Sequence, residues 1–405
     1  MKKNTEHRLE LYGNSGINIP FLNYNTSGRL VMSTGQDKQV PIIKNPEEAI
    51  VDTGFSKQIN QFTFDVKIEN TSIVLGVVKK YNNRYDGWSN DEWSSLLVFC
   101  HDTVTSQLVH YEVCKYRMMD NKFGFAYTID EELIFNLKPR DVLEADTRLS
   151  WSNSTEGNAY KKGKNLNTFI GSIPELGEDA ILMDEDIIKD FTINTYTVYE
   201  VSYGKSAILA NVHGDDKTYK AYLDIGDTFE PGDVLYSKIE CDLRDLKTGD
   251  DFTLVNNAML FSNGGLRTRR PHFTNNVIMK SYGRVVDIDI VYNPKSGENI
   301  ESETMGRQTA KYLMMLSTYH QNILKIYEMY KKGYESLSAN ISDETNNLIV
   351  QSMIFLETDI KGKKPNIMKE KKRSKLDMYT LRITTEQTIV PNNSYKFSDR
   401  YGGQF

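Results

Sequence analysis

The sequence predicts a β-rich α+β protein, and two changes of hydrophobic period along the chain support this. From residue 61 to residue 292, short apolar runs alternate with polar and turn residues, as is typical of β-strands. From residue 303 to residue 360 the apolar spacing changes to three and four residues, which indicates an antiparallel helical hairpin. The period of two returns at Tyr379, Leu381 and Ile383. Several short strands joined by turns favour a β-barrel.

Length and composition exclude several classes of protein. A chain of 405 residues has room for two or three domains of about 150 residues each. Its 39% hydrophobic and 26% charged residues are typical of a folded protein. A net charge of −6 argues against a protein whose whole surface binds nucleic acid. The polar first residues and the absence of an apolar run of about 18 residues predict an intracellular protein without a membrane span.

The period-two pattern predicts individual strands. In the strand over Arg284–Tyr292, we expect Val286, Ile288, Ile290 and Tyr292 to share one face, with Asp287 and Asp289 on the other. The other candidate strands are Phe62–Ile68, Leu96–Cys100, Leu108–Tyr116, Phe123–Ile129, Ile193–Tyr203 and Ser206–Val212.

The helical pattern predicts which residues face the partner helix. Ser342 and Asp343 are candidate N-caps for the second helix of the hairpin. His320 lies within the apolar stripe of the first helix, so we expect a packing role for it rather than metal binding. The stripe consists of Leu313, Leu316, His320, Ile323, Tyr327, Tyr330, Tyr334 and Leu337.

Two groups of residues allow a chemical and a structural interpretation. Asp287 and Asp289 could bind Mg²⁺ or act as acid and base in an independent hydrolase, but strand alternation alone explains their spacing. Residues 361–375 hold eight basic residues and one acidic residue, a density that attracts phosphate and equally suits a solvated linker. The basic residues considered for nucleic-acid binding are Lys363, Lys364, Lys371, Lys372 and Arg373.

Five collinear segments resemble the β subunit of multisubunit DNA-dependent RNA polymerases. The first begins with IPFL at 19–22, continues through Arg29, Met32 and QVP at 39–41, and ends with TG at 53–54. The second runs from KPRDVL at 138–143 to GEDAIL at 177–182. The others are PGDVLYSKI at 231–239, YGRVVDIDIV at 282–291 and RITTEQTIVPNNSYKFSDRYGG at 382–403. The helical hairpin follows the fourth segment, where the family also has a long hairpin.

This resemblance implies the middle of a β subunit, including its double-psi β-barrel with a β-rich insertion. It further implies a split subunit of the kind found in large-genome bacteriophages. The expected units are an active-site-proximal loop segment (1–60), a β-rich segment (61–140), the first part of the barrel with insertions (141–300), the hairpin with the basic linker (301–375), and the barrel return strand with an active-site loop (376–405).

The resemblance also implies site residues. Arg29, Lys396 and Arg400 would contact nucleotide phosphates or the RNA end, while Glu178 and Asp179 would lie near the second metal. A second active-site lysine of the family aligns near Gln404, where this chain has no lysine. The aspartate triad that holds the catalytic Mg²⁺ in the family is absent from this sequence. The metal is therefore expected on a partner chain that resembles the β′ subunit, and none directly on this chain.

The expected function is transcription by a nucleotidyltransferase that is active only as a multisubunit complex. Its expected partners are other split β and β′-like subunits, DNA template, RNA product and nucleoside triphosphates. The implied location is the cytoplasm of an infected bacterium, with packaging in the virion as an alternative. A second hypothesis is a non-catalytic structural or virion interaction protein with a β-barrel.

Overall fold

The computed structural model describes most of the chain, in separate stretches. The described residues are 19, 21–39, 42–50, 65–80, 93–120, 123–152, 155–156, 159–169, 171, 184–203, 207–215, 220–240, 273–292, 303–333, 340–361 and 379–390. The helices are α1 (Ser27–Gln39), α2 (Glu131–Asn136), α3 (Glu185–Asp190), α4 (Glu303–Gly333) and α5 (Asp343–Lys361), besides a 3₁₀ turn at Leu22–Tyr24.

The strands outnumber the helices in the described residues, which confirms the predicted β-rich α+β class. In chain order they are β1 (Glu47–Glu48), β2 (Val66–Lys67), β3 (Ser72–Lys79), β4 (Ser95–Asp102), β5 (Gln107–Cys114), β6 (Tyr116–Asp120), β7 (Phe123–Ile129), β8 (Val142–Leu143), β9 (Arg148–Ser152), β10 (Thr155–Glu156), β11 (Ala159–Gly163), β12 (Ile193–Tyr203), β13 (Ala207–Leu209), β14 (Thr228–Phe229), β15 (Val234–Glu240), β16 (Phe273–Ile278), β17 (Tyr282–Tyr292), β18 (Asn340–Ile341) and β19 (Tyr379–Ile389).

The largest sheet joins strands from two distant parts of the sequence. Its order is β14-β17-β19-β12-β7-β9-β2, with β6 paired to β7. We call β2–β9 the N-terminal lobe, and β12–β17 with β19 the C-terminal lobe. In the described residues the lobes join in this sheet where β7 pairs with β12, with Tyr196 opposite Gly124. A five-stranded sheet, β18-β5-β4-β3-β8, belongs mostly to the N-terminal lobe.

Helix α4 crosses from one lobe to the other. Its first half, with Tyr312 and Leu316, is buried in the apolar core of the C-terminal lobe. Its second half, with Ile323 and Ile326, is buried against the five-stranded sheet of the N-terminal lobe. Gly76 in β3 permits this approach, because an added Cβ would lie 3.1 Å from Cδ1 of Ile326. The helix therefore buries one continuous face against both lobes.

The predicted helical hairpin is confirmed. Helices α4 and α5 pack against each other, with His320 opposite Ser352 and Phe355. Ser342 caps α5 by accepting a hydrogen bond from the Thr345 amide at 3.3 Å, as predicted. The predicted stripe is incomplete, since Tyr312, Tyr319 and Ile326 form a second buried face toward the sheets. Tyr334 and Leu337 lie outside the described residues.

The predicted facing of β17 is wrong at one residue. The register with β19 shifts between Val285, opposite Thr385, and Asp287, opposite Thr384, so Val286 is an extra residue in a β-bulge. As a result Val285, and not Val286, enters the apolar core with Ile288 and Ile290. Asp287 and Asp289 remain together on the opposite face, as predicted.

The double-psi barrel and the five domain boundaries stay predictions. The sheets of the described residues are open in the order in which their strands pair, and none closes on itself. No helix in the described stretches is long and apolar enough to cross a membrane.

Candidate functional site

Three segments that flank predicted site residues meet at Ile193, the first residue of β12. Ile43 forms an antiparallel bridge with Ile193. On its other side Ile193 is paired with Ile389, the last residue of β19. We call this row of three isoleucines the Ile193 junction. It brings together parts of the chain that are far apart in sequence.

The predicted site residues belong to the stretches of chain that lead to the junction. Arg29 precedes Ile43 in the first segment, Glu178 and Asp179 precede α3 and β12, and Lys396 and Arg400 follow Ile389. Lys396 is seven residues beyond Ile389, a reach of at most about 25 Å for an extended chain. Glu178, Asp179, Lys396 and Arg400 themselves lie outside the described residues.

Arg29 is the one predicted contact residue that the structure describes, and it is exposed on α1. The next residue, Leu30, is buried and anchors the helix. Gly28 and Gly35 have no heavy atom within 4 Å of an added Cβ, so the outer side of α1 is open. The Arg29 guanidinium is therefore free of burial and available to an anionic ligand, for which its planar fork is well suited.

Polar contacts fix the segments around the junction. The Lys44 amide donates to the Thr192 carbonyl at 2.8 Å. Lys164 pairs with Glu47 at 2.8 Å, and the hydrogen bond from this ammonium is the main cause that lowers the pKa of the Glu47 carboxyl. Lys164 also approaches Asp190 of α3 at 4.0 Å. These contacts tie the first segment to β11 and α3.

The end of β19 is held on both sides. Glu386 accepts hydrogen bonds from the Tyr196 hydroxyl at 3.1 Å and from Nε of Arg284 at 2.7 Å. Ser281 donates to Gln387 at 2.9 Å, and Gln387 donates to the Tyr199 hydroxyl at the same distance. Because β12 and β17 both hold these side chains, the strand that leads toward Lys396 leaves the sheet from a fixed position.

The paired carboxylates of β17 lie elsewhere, in a buried cluster between the lobes. The Lys80 ammonium is 2.7 Å from Oδ1 of Asp289 and 3.2 Å from Oδ2 of Asp287. The Tyr116 hydroxyl donates to the same Asp287 oxygen at 3.1 Å. We call Lys80, Tyr116, Asp287 and Asp289 the Lys80 cluster. Sequence reasoning missed Lys80, because it lies 207 residues from Asp287 and in no motif.

Burial and charge act in opposite directions in the Lys80 cluster. Burial raises the pKa of Asp287, while the Lys80 ammonium works against that shift. Burial alone would lower the pKa of Lys80, but the two carboxylates outweigh it and the pKa is raised. Lys80 is therefore charged at neutral pH and acts as the counterion of the carboxylates.

This arrangement disfavours the Mg²⁺ and hydrolase interpretations of Asp287 and Asp289. One oxygen of each carboxylate already binds the Lys80 ammonium, which would repel a divalent cation at the same place. No group of three His, Cys, Asp or Glu in the described parts of the chain could hold a metal ion.

His320 has the predicted packing role, with Nδ1 2.9 Å from the Ser352 hydroxyl. The basic residues Lys363, Lys364, Lys371, Lys372 and Arg373 lie outside the described residues.

Comparison with known proteins finds distant relatives named as RNA polymerase β subunits. No protein-family model matches the chain. The chain is 27% identical over 239 residues to the DNA-directed RNA polymerase subunit beta of Porphyromonas gingivalis, a match that covers 55% of this chain and 18% of that subunit. It is 24% identical over 250 residues to the subunit of the same name from Borrelia duttonii, covering 57% and 20%. For Chara vulgaris the figures are 23% over 318 residues, 74% and 26%.

The chain contains a region similar to RNA polymerase β subunits. This supports the coarser part of the sequence resemblance, namely a β-subunit-like region. The chain spans only about a fifth to a quarter of the length of these curated relatives.

Proposed function

We propose that the chain is a β-subunit component of a multisubunit DNA-directed RNA polymerase and contributes nucleotide and RNA-end contacts during transcription. The single observation that best supports this is the Ile193 junction. It joins, in one row, one residue from each of the three stretches of chain that lead to the groups which the resemblance assigns to the active site. The similarity to RNA polymerase β subunits over 55–74% of this chain also supports it.

In this proposal the chain positions and neutralises charge, because phosphoryl transfer needs little covalent chemistry from the protein. Arg29 binds phosphate oxygens of the incoming nucleotide. Lys396 and Arg400 contact the reacting nucleotide or the RNA end, and Glu178 and Asp179 lie near the second metal. The basic residues Lys363, Lys364, Lys371, Lys372 and Arg373 bind nucleic-acid backbone.

The catalytic Mg²⁺ belongs, in this proposal, to a β′-like partner chain that carries the aspartates this sequence lacks. When bound there, it would stabilise charge on the attacking and leaving oxygens. The finer proposal is that several chains together form the β subunit, as in large-genome phages, and that the complex acts in the cytoplasm of the infected host.

Affinity purification of the tagged chain from its native source tests the proposal. We expect large partner chains to co-purify, among them one with the aspartate triad, together with template-dependent RNA synthesis. If the chain were recovered as an oligomer of itself, without other polymerase subunits, the proposal would be contradicted and the structural alternative favoured. Intact masses of the co-purified chains test the split arrangement, which an uninterrupted full-length β polypeptide containing this sequence would disprove.

A further inference from the structure

The Lys80 cluster occupies the place where the two lobes and α4 meet. Lys80 follows β3 in the N-terminal lobe, and Asp287 and Asp289 lie on β17 in the C-terminal lobe. Tyr116 of β6 both donates to Asp287 and stacks on Tyr196 of β12, with ring centroids 4.8 Å apart. Every member of the cluster thus makes a contact that crosses from one lobe to the other.

The members of the cluster are buried to different degrees. Side-chain exposure is 13% for Lys80 and 8% for Asp287, against 44% for Asp289. One carboxylate oxygen, Oδ1 of Asp287, is buried without a hydrogen-bond partner in the described structure. Two carboxylates share one ammonium here, which is costly because Asp287 is buried.

Other titratable groups face the cluster from neighbouring elements. Glu112 and Cys114 lie on β5, and Tyr319 and His320 lie on α4. Charges of the cluster act on Cys114, Tyr319 and His320, and the Glu112 carboxylate acts on Cys114 and Tyr319. Tyr319 and His320 lie at the point where α4 passes from the core of the C-terminal lobe to the five-stranded sheet.

The remaining contacts between the lobes have little directional character. In the described residues the ladder between β7 and β12 pairs Tyr196 with Gly124 alone. The contact of α4 with the five-stranded sheet is mainly apolar, with a long polar contact of 3.5 Å between the Tyr330 hydroxyl and Nδ1 of His101. Hydrophobic burial does not by itself select one alignment. Hydrogen bonds and ion pairs depend strongly on distance and direction, so they can select one.

We infer that the Lys80 cluster is an alignment lock that fixes the position of the N-terminal lobe relative to the C-terminal lobe. Its ion pairs exist in one arrangement of β3 and β17, and any sliding of these strands past each other would leave the buried Asp287 carboxylate without its counterion. The apolar contacts hold the lobes together, while the cluster determines where they sit. This inference is independent of the proposed function.

The test compares the loss of one charge with the loss of all of them, in the full-length chain. Lys80→Met leaves the buried Asp287 and the half-exposed Asp289 without a counterion, so we expect the unfolding midpoint to fall by about 5 °C or more. The triple variant Lys80→Met, Asp287→Asn, Asp289→Asn removes every charge, and its midpoint should return to within about 2 °C of the wild-type value. Lys67→Met is the control, because it breaks an exposed pair with Asp146 of 2.8 Å.

The decisive readout is amide hydrogen exchange in β7 and β12, where the lobes join. If the cluster fixes alignment, exchange there stays at least tenfold faster than wild type in the triple variant, although its stability is restored. Wild-type exchange rates in the triple variant would overturn the inference, since the cluster would then contribute stability alone. An unchanged midpoint and unchanged exchange in Lys80→Met would overturn it as well.

Discussion

The charged residues of the Lys80 cluster differ in burial from Arg29, which lies in a segment that leads to the Ile193 junction. At the cluster, Lys80 and Asp287 are buried and form an ion pair at 3.2 Å. In the segment that leads to Ile43, Arg29 is exposed on a helix whose outer side is open. A perturbed, buried carboxylate is often the first candidate for catalysis. Here the buried charges of the Lys80 cluster join the lobes, whereas the exposed Arg29 is suited to meet a ligand.

From this difference in burial we expect that substitutions in the segments leading to the junction change activity without changing stability. The largest effect is expected for Lys396→Ala in the assembled enzyme, because preorganised charge near developing negative charge contributes several kcal/mol. Single-nucleotide extension on a preformed scaffold should be slower by about 10²-fold or more, while assembly is retained. Arg400→Ala should lose less, since its proposed contact is to backbone phosphate.

Lys332→Ala, which removes an exposed lysine from the end of α4, is the matched control and should extend at the wild-type rate. Normal extension by Lys396→Ala would remove the C-terminal segment from the proposed site and leave Arg29 to be judged separately.

A smaller effect of the same kind is expected for Arg29→Ala. A charge-assisted hydrogen bond to phosphate is worth about 1.5–3 kcal/mol, so the apparent KM for nucleoside triphosphates should rise at least about tenfold. Steady-state extension measures this, and the unfolding midpoint of the chain should not move. An unchanged KM with an altered midpoint would give Arg29 a structural role instead.

In the C-terminal lobe the comparison predicts the reverse, a change of stability caused by packing. Gly283 lies in β17, where an added Cβ would meet the Glu386 carbonyl oxygen and come within 2.6 Å of the Phe229 ring. Gly283→Ala should lower the free energy of unfolding by about 1–3 kcal/mol in urea titration. Gly35→Ala is the matched control, because α1 has open space there and alanine favours a helix by up to about 1 kcal/mol. Equal effects of both substitutions would show that the β17–β19 contact is looser than described.

The smallest effect concerns the pH dependence of stability next to the Lys80 cluster. Burial, reinforced by the Lys80 ammonium, lowers the pKa of His320 to about 4. Because an unfolded histidine titrates near 6.5, the unfolded chain binds a proton between about pH 6.5 and 4 that the folded chain does not. This contribution is complete above pH 6.5 and is lost as the pH falls toward 4, by about 1–2 kcal/mol after allowance for partial exposure.

Urea titrations at pH 7 and pH 4.5 measure this loss. His320→Gln keeps a polar partner for Ser352 and does not titrate, so it should lose less stability between the two pH values. The same loss in both proteins would assign the pH dependence to other groups.

The sequence predicted those features that depend on local periodicity. The predicted bounds Phe123–Ile129 and Ile193–Tyr203 agree with β7 and β12, and the spacing after residue 303 predicted the hairpin. The bulge at Val286 was missed, because it is defined by pairing with β19, which lies about a hundred residues later. The contact of Lys80 with Asp287 was missed for the same reason. The proposed site depended on a family resemblance, since Arg29 and Lys396 form no local pattern that specifies chemistry.

RNA synthesis by the purified chain, alone and with its partners, is the most direct test of the proposed role as a polymerase component. We expect no template-dependent synthesis by the isolated chain at any Mg²⁺ concentration, because the metal-binding aspartates are absent from its sequence. It predicts synthesis when the chain is combined with the co-purified partner chains, and loss of synthesis when this chain alone is omitted. Robust synthesis by the isolated chain, or full activity of the partner chains without it, would contradict the account.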